Sequence, residues 1–157
     1  MKTISIQHEN KKVNYLLIQN EESLLFAANL GCIEIHPFFS RIQKLQAPDF
    51  IVFDLDPKKA SFQAVIQVAQ EIHKVLEEIE VPSYCKTSGK VYIDCFQNNF
   101  GQSLAAPYSI RALPGVPVST PLKWSEVKKG LDPKNYKIKT IFLRLKKMGR
   151  SLCSSFQ

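Results

Sequence analysis

Residues 50–79 read FIVFDLDPKKASFQAVIQVAQEIHKVLEEI and combine an apolar run with a helical pattern. Residues 50–55 are almost continuously apolar, which is typical of a strand that is buried on both faces. Ser61 can cap a helix, and apolar residues then recur at helical spacing up to Ile79. The stretch therefore predicts a buried strand followed by an amphipathic helix over residues 62–80.

Upstream of this stretch, the sequence predicts two strands on either side of a short helix. Residues 13–19 and 32–36 have strand patterns. Residues 20–23 supply capping side chains for a helix over residues 24–30. Gly31 ends that helix, because glycine tolerates the left-handed backbone often found at a helix C-terminus.

Downstream, the pattern is mainly one of short strands and turns. Residues 83–87 and 90–96 flank Ser88-Gly89 and predict a hairpin. A further strand is predicted over residues 104–110. The remaining predicted elements are helical turns at residues 124–129 and from Asp132, and a basic, partly helical segment over residues 138–149.

The order of these elements predicts one α+β domain over residues 1–157, with a mixed, mainly antiparallel sheet and flanking helices. A length of 157 residues suits a single domain, and 45% hydrophobic with 22% charged residues is an ordinary globular composition. No apolar run approaches the roughly 20 residues that span a bilayer, and the first residues are too polar for a signal peptide.

The pattern of the four cysteines indicates reduced thiols in a cytoplasmic protein. They are scattered and form no C-x-x-C pair, which argues against a zinc site or a disulfide framework. Their positions are Cys32, Cys85, Cys95 and Cys153.

Charge is distributed unevenly along the chain, which carries a formal net charge of +7. Residues 1–80 hold 8 Lys or Arg and 11 Asp or Glu, a balance of −3, whereas residues 81–157 hold 13 and 3, a balance of +10. A basic half of this kind indicates a surface for a polyanion such as DNA, although a solvated basic surface has the same composition. The lysines expected to contact DNA are Lys137, Lys139, Lys146 and Lys147.

Three aspartates are candidate metal ligands. Asp54 and Asp56 are two residues apart at the end of the predicted buried strand, so their carboxylates would project from the same face. Asp94 interrupts another apolar strand pattern, where an unpaired carboxylate is costly. Together they could hold Mg²⁺ or Mn²⁺ for phosphoryl transfer. The alternative is that one aspartate caps a helix and the others face water.

The D-x-D pattern after a strand also resembles haloacid-dehalogenase-type phosphatases. In that family the first aspartate is the nucleophile and the second is the acid/base. The pattern there continues with Gly/Thr or Thr/Val, whereas this chain continues with Pro57-Lys58. A small phosphatase remains an alternative function.

A series of ordered motifs extends over roughly residues 24–145. The motifs are LGCIEIHP (30–37), SR (40–41), PDFIVFDLDP (48–57), KTSG (86–89), VYID (91–94), APYSIR (106–111) and PVSTPL (117–122) followed by Trp124. Their order resembles the polymerase domain of bacterial DNA ligase D, which belongs to the archaeo-eukaryotic primase group.

The resemblance implies a reduced primase-polymerase core and a nucleotidyltransferase that adds nucleotides at DNA ends during non-homologous end joining. It implies Mn²⁺ or Mg²⁺ as cofactor. The implied partners are DNA ends, an NTP or dNTP, a ligase and a Ku-like protein, in the nucleoid-associated cytoplasm and with no membrane.

The resemblance also implies roles for individual residues. Asp54, Asp56 and Asp94 align with the family's catalytic, metal-binding acids. The residues that align with nucleotide-binding positions are His36, Ser88, Lys90, Gln97 and Arg111.

The chain departs from the family pattern in two places. It starts inside that pattern, and about fifty residues that the family carries are missing between Gly89 and Lys90. A compact variant, a split-gene fragment and a decaying remnant are all compatible with these departures. A non-catalytic DNA-binding remnant or accessory module is therefore the second functional hypothesis.

Overall fold

The computed structural model of the chain describes residues 2–55, 60–87 and 100–148. Within these ranges there are three α-helices and two separate two-stranded antiparallel sheets. The elements are β1 (Lys2–Gln7), β2 (Lys12–Leu17), α1 (Glu21–Asn29), α2 (Phe62–Glu78), β3 (Cys85–Thr87), β4 (Thr120–Leu122) and α3 (Ile138–Met148). Short 3₁₀ helices cover Ile42–Lys44, Trp124–Glu126 and Pro133–Asn135.

The first sheet is a hairpin of β1 and β2. Lys2 lies opposite Leu17 and Gln7 lies opposite Lys12, and the His8 N–H closes the turn on the Lys11 carbonyl at 2.8 Å. The strand β2 confirms the prediction for residues 13–19. The strand β1 is an addition to the predicted elements, although Ile4 and Ile6 alternate with polar residues as a half-buried strand requires.

The predicted helix is formed, but α1 begins at Glu21 instead of residue 24, because Asn20 alone is the N-cap and Ser23 already lies in the first turn. The Asn20 side chain accepts the Ser23 N–H at 2.9 Å, and the Ser23 hydroxyl contacts the Asn20 N–H at 3.2 Å, which forms a capping box. Gly31 follows the helix with φ +81°, the left-handed conformation expected of it.

The second sheet and α2 enclose the main core. Ser61 caps α2 by accepting the Ala64 N–H at 3.2 Å, so the predicted helix is confirmed. Its buried face presents Ile66 and Ala69 to Leu122 of β4 and to Val127. The helix is held in place by polar contacts as well, since the Gln70 amide donates to the Val127 carbonyl at 2.7 Å.

Three predicted strands are not formed. Residues 51–55 have no regular secondary structure, and Phe50, Ile51 and Phe53 expose 51–70% of their surface instead of being buried on both faces. Residues 32–36 and 104–110 are also irregular apart from isolated bridges. A strand needs backbone partners on a neighbouring strand, and apolar composition alone does not supply them.

The first strand of the predicted hairpin, residues 83–87, is formed in part as β3, and one of its edges pairs with a strand that the sequence did not predict. β3 pairs with β4, so that Lys86 lies opposite Pro121 and Thr87 lies opposite Thr120. The sequence did not indicate β4, because proline disfavours a strand interior. The predicted partner strand, residues 90–96, lies outside the described residues.

The α+β class is confirmed, with helices flanking antiparallel strands. In the described ranges the strands form two small sheets instead of one mixed sheet. Nowhere in these ranges is a helix both long enough and apolar enough to cross a bilayer.

One side of α2 leaves apolar residues uncovered, and we expect the protein to self-associate through it. Val68, Val75 and Ile79 lie at helical spacing and expose 40%, 56% and 61% of their surface. Exposed apolar patches of this kind mark interfaces or aggregation sites. The double variant Val68→Gln/Val75→Gln should therefore self-associate less than the wild type. Its sedimentation coefficient should stay closer to the monomer value as the protein concentration rises.

The matched comparison is Ile66→Gln on the buried side of the same helix, where only 2% of the surface is exposed. It should lower the melting temperature markedly, because it buries an amide among apolar groups. A wild-type chain that stays monomeric at every concentration would contradict the prediction.

Candidate functional site

The candidate site is built around the carboxylate of Glu34. Its Oε1 lies 3.0 Å from Nε2 of His36 and 3.2 Å from Nε of Arg111. Its Oε2 accepts the N–H of Ala112 at 3.2 Å. Two of the predicted nucleotide-binding residues, His36 and Arg111, are thus brought to one oxygen atom.

The backbone fixes both sides of this contact. The Ile35 N–H donates to the Ser109 hydroxyl at 2.9 Å, and the Ile35 carbonyl accepts the Ala106 N–H at 2.8 Å. The Arg111 N–H donates to the Pro117 carbonyl at 2.8 Å. The main chain is therefore fixed at Arg111 and directly after Glu34, which positions the two side chains for the ion pair.

The surroundings keep Glu34 ionised. The hydrogen bond from the Ala112 N–H is the main cause that lowers the pKa of this carboxyl below its usual value. Partial burial opposes this shift, while His36 and Arg111 add to it. Glu34 is therefore an anion near neutral pH, and it partly neutralises the guanidinium beside it.

A half-buried lysine, Lys86, is within electrostatic reach of Arg111. Lys86 in β3 donates a hydrogen bond to the Ala105 carbonyl. The pKa of Lys86 is lowered to about 8, mainly by burial and also by the positive charge of Arg111, while the negative charge of Asp54 opposes the shift. These effects place Lys86, Arg111 and Asp54 within electrostatic reach of one another.

The predicted site residues divide into two groups. His36, Asp54 and Arg111 lie in the described part of the chain, and the site brings His36 and Arg111 into contact through Glu34. The other predicted residues lie outside the described residues; they are Asp56, Ser88, Lys90, Asp94 and Gln97.

The sequence analysis placed Asp54 and Asp56 on one face because it expected a strand that ends at these residues. Residues 51–55 do not form that strand, so this argument for pairing the two carboxylates does not hold. Residues 2–55, 60–87 and 100–148 contain no group of three His, Cys, Asp or Glu side chains positioned to share a metal ion. The three-aspartate metal site stays a prediction.

Sequence reasoning assigned no role to two residues of the site, Glu34 and Lys86. Glu34 interrupts the apolar run Cys32-Ile-Glu-Ile two residues before His36, so a polar residue in an apolar segment was a usable signal. Lys86 opens the KTSG motif, but its contact with the Ala105 carbonyl joins residues 19 positions apart and leaves no signal in the motif.

The four lysines expected to bind DNA are exposed. Lys137 directly precedes α3, Lys139 lies in its first turn, and Lys146 and Lys147 lie in its last turn. Pro117 forms an antiparallel bridge with Lys137 and also accepts the Arg111 N–H, so this end of the basic surface adjoins the Glu34 site. Lysines in the last turn also stabilise a helix through its dipole, which is a purely structural reason for their presence.

A separate cavity of about 410 Å³ lies between the hairpin and the start of α1, where Leu17, Asn20 and Phe26 help to line it. Of the predicted site residues that the structure describes, none contributes to its lining. His36, Asp54 and Arg111 therefore lie outside this cavity.

The Glu34 carboxylate joins an imidazole and a guanidinium, which are side chains that suit phosphate oxygens, and the charge of the guanidinium reaches a half-buried ammonium. The chain belongs to the LigD primase-polymerase domain family, whose model matches residues 1–91 and 89–152.

Individual relatives agree with this assignment. The chain is 26% identical to the bifunctional non-homologous end joining protein LigD of Bacillus subtilis over 186 aligned positions, which cover 86% of this chain and 30% of the relative. It is also 26% identical to the multifunctional non-homologous end joining protein LigD of Pseudomonas aeruginosa, with 68% of this chain and 19% of the relative covered. The chain thus spans less than a third of either relative.

A solved structure shares the fold. The polymerase domain from Mycobacterium tuberculosis ligase D, in complex with DNA, superposes with a TM-score of 0.78 at 18% identity, covering 97% of this chain and 74% of that chain. The reduced primase-polymerase core inferred from the sequence is therefore confirmed at the level of the fold.

The alignments also support the missing segment. Since 86% of 157 residues is about 135 residues, about 50 of the 186 positions aligned with the B. subtilis protein have no counterpart in this chain. The family model is matched in two pieces that meet at residues 89–91, next to the expected junction of Gly89 and Lys90.

Proposed function

We propose that this chain is a metal-dependent nucleotidyltransferase of the primase-polymerase type that adds nucleotides at DNA ends in non-homologous end joining. The observation that carries the proposal is the contact of both His36 and Arg111 with Glu34, near Asp54 and Lys86. These residues come from distant parts of the chain, and the family assignment gives their assembly a function.

The roles follow the charges of the site. His36 and Arg111 bind the triphosphate of an incoming NTP or dNTP, because an imidazole and a guanidinium suit phosphate oxygens. Ser88, Lys90 and Gln97 are proposed as further nucleotide contacts from their positions in the family motifs. Lys86 is charged at pH 7 in most molecules, given its pKa of about 8, and adds positive potential behind these residues.

Asp54 fits a role as a metal ligand. Its carboxylate oxygens are the hard donors that Mn²⁺ and Mg²⁺ prefer, and it lies where cationic side chains also gather. Asp56 and Asp94 are the proposed companion ligands. A divalent ion held there would neutralise charge on the triphosphate.

The direct test is primer extension. Purified protein, a primer-template with a recessed end, NTPs and Mn²⁺ should give extended products, and EDTA should abolish them. Absence of extension with retained, metal-independent DNA binding would favour the non-catalytic remnant or accessory module. Release of phosphate from small phosphoesters without DNA would favour the phosphatase. A ligase and a Ku-like protein are the proposed partners in joining.

DNA binding should reside in the exposed lysines around α3. Binding of lysines to phosphates is driven mainly by counterion release, so it depends steeply on salt and little on sequence. Replacing Lys137, Lys139, Lys146 and Lys147 together by glutamine should weaken duplex binding, and the slope of log K against log salt should fall by up to about 3.6. Fluorescence anisotropy at several salt concentrations measures both quantities.

A charge-matched control shows whether DNA binding depends on the position of the lysines or only on the net charge of the protein. The variant with glutamine at Lys11, Lys12, Lys44 and Lys74 removes the same charge from other exposed positions. It should retain most of the affinity and the salt slope. If both quadruple variants behaved alike, binding would follow net charge only, and the α3 surface would be merely solvated.

A further inference from the structure

The Glu34 carboxylate contacts two of the residues that are proposed to bind the triphosphate. One oxygen of its carboxylate lies 3.0 Å from the His36 imidazole and 3.2 Å from the Arg111 guanidinium. The two nitrogens are therefore no more than about 6 Å apart, because both lie close to the same oxygen. The two side chains are therefore neighbours, and one polyphosphate chain could meet both of them through the nitrogens that do not face Glu34.

We propose that Glu34 is a positioning residue that holds His36 and Arg111 side by side as a joint binding site for one nucleoside triphosphate. The inference rests on the proposed function, since it takes the triphosphate as the ligand. Glu34 itself does not touch the triphosphate; it acts through the two residues that do.

The attachment of Glu34 supports this role. Its Oε2 is held by the Ala112 N–H at 3.2 Å, and the next residue, Ile35, is bonded through both its N–H and its carbonyl. A carboxylate fixed in this way keeps its place when a ligand arrives. An anion also repels a polyphosphate, but a carboxylate that had to move away would lose these attachments.

Arg111 depends on this contact for its orientation. Its side chain is 17% exposed, and Nε is buried without a hydrogen bond of good geometry in the described part of the chain. The ion pair with Glu34 is thus electrostatic in character, with a distance of 3.2 Å but an unfavourable angle. Without the carboxylate, a buried guanidinium nitrogen would lose its counter-charge.

His36 is oriented by the same oxygen. The contact with Glu34 uses Nε2, which leaves Nδ1 as the nitrogen available to a ligand. A protonated imidazole would donate from Nδ1 to a phosphate oxygen while Nε2–H stays on Glu34. Carboxylates that orient metal-binding histidines typically change metal affinity by about 10–100-fold, and we expect an effect near the lower end of that range for a phosphate-binding imidazole.

The test is isothermal titration of the full chain with ATP and excess Mn²⁺. Glu34→Gln keeps the shape and removes the charge, and we expect ATP affinity to fall about 10-fold. Glu34→Asp keeps the charge but shortens the reach, and should give an intermediate affinity. Glu78→Gln, which removes the same charge from the exposed side of α2, should bind ATP like the wild type.

A double-mutant cycle shows whether Glu34 acts through Arg111. In the Arg111→Met background, Glu34→Gln should cost clearly less affinity than in the wild-type background, because only His36 is left of the two residues that Glu34 positions. Melting temperatures of all variants show that each is folded at the titration temperature. If Glu34→Gln is not folded there, Glu34→Asp decides, and wild-type affinity in that variant overturns the inference.

The outcomes separate the inference from the proposed function. A wild-type chain that binds ATP, with Glu34→Gln binding it equally well or more tightly, overturns the positioning role and leaves the function standing. An equal loss in the wild-type and Arg111→Met backgrounds also overturns it. A wild-type chain that binds no ATP overturns the proposed function, and the inference with it.

Discussion

Replacing Asp54 by asparagine is expected to abolish metal-dependent nucleotide addition, with a loss of at least about 100-fold in extension rate. Asparagine has the same shape but lacks the charge that holds a divalent ion. The substitution should leave metal-free DNA binding intact, because the α3 lysines are separate from Asp54. Primer extension with Mn²⁺, together with anisotropy in EDTA, measures the two effects independently.

The matched control is Asp49→Asn. Asp49 pairs with Arg41 through two hydrogen bonds of 2.7 and 2.9 Å at the surface, and it takes no part in the proposed site. It should leave the extension rate unchanged. Full activity in Asp54→Asn would show that Asp54 is not a metal ligand. It would also contradict the catalytic proposal at the one proposed metal ligand that lies in the described part of the chain.

Replacing Arg144 by methionine is expected to lower the free energy of unfolding by roughly 2 kcal/mol. The guanidinium donates to both carboxylate oxygens of Glu126, at 2.6 and 2.7 Å, and to the Pro121 carbonyl at 3.0 Å. It also lies over the Tyr136 ring, 5.4 Å from the centroid. The contacts join α3 to β4 and to the 3₁₀ helix Trp124–Glu126, so their loss should loosen the second sheet.

Denaturant unfolding measures this effect, with Lys139→Met as the control because it removes the same charge from an exposed position of α3. The control should change stability by less than about 0.5 kcal/mol. Equal stabilities of Arg144→Met and wild type would show that the contact with Glu126 contributes nothing to folding.

The pH dependence of stability gives a second measure of the same contact. The hydrogen bonds from Arg144 are the main cause that lowers the pKa of Glu126 below 4.5, and partial burial opposes them. A carboxyl with a lowered folded pKa contributes stability above its unfolded value of 4.5, and loses it as pH falls through the folded value. The melting temperature of wild type should therefore fall more steeply below pH 4.5 than that of Glu126→Gln.

The local elements could be read from the sequence. The caps at Asn20 and Ser61 fix where α1 and α2 begin, and Gly31 marks where α1 has ended. Helices are determined locally because each backbone bond joins residues four apart, and a cap needs only its neighbours. The order of the motifs was also sufficient to indicate the family, since motif order is a property of the sequence itself.

The strands required knowledge of their partners. The apolar run at residues 50–55 has the composition of a buried strand and is irregular over residues 51–55, while β4 contains Pro121 and yet pairs with β3. Sheet bonds join segments that are far apart in the chain, so composition cannot say which segments meet. The same limit concealed the position of Lys86 opposite Pro121.

The sequence by itself determined the helices, the charge asymmetry, the family and the identity of His36, Asp54 and Arg111 as site candidates. Only the tertiary structure decided that Glu34 joins His36 to Arg111, because the Glu34 carboxylate meets a backbone N–H that lies 78 positions away. A single carboxylate between two cations leaves no periodic pattern in a sequence. Its role arises from distances that exist only after the chain has folded.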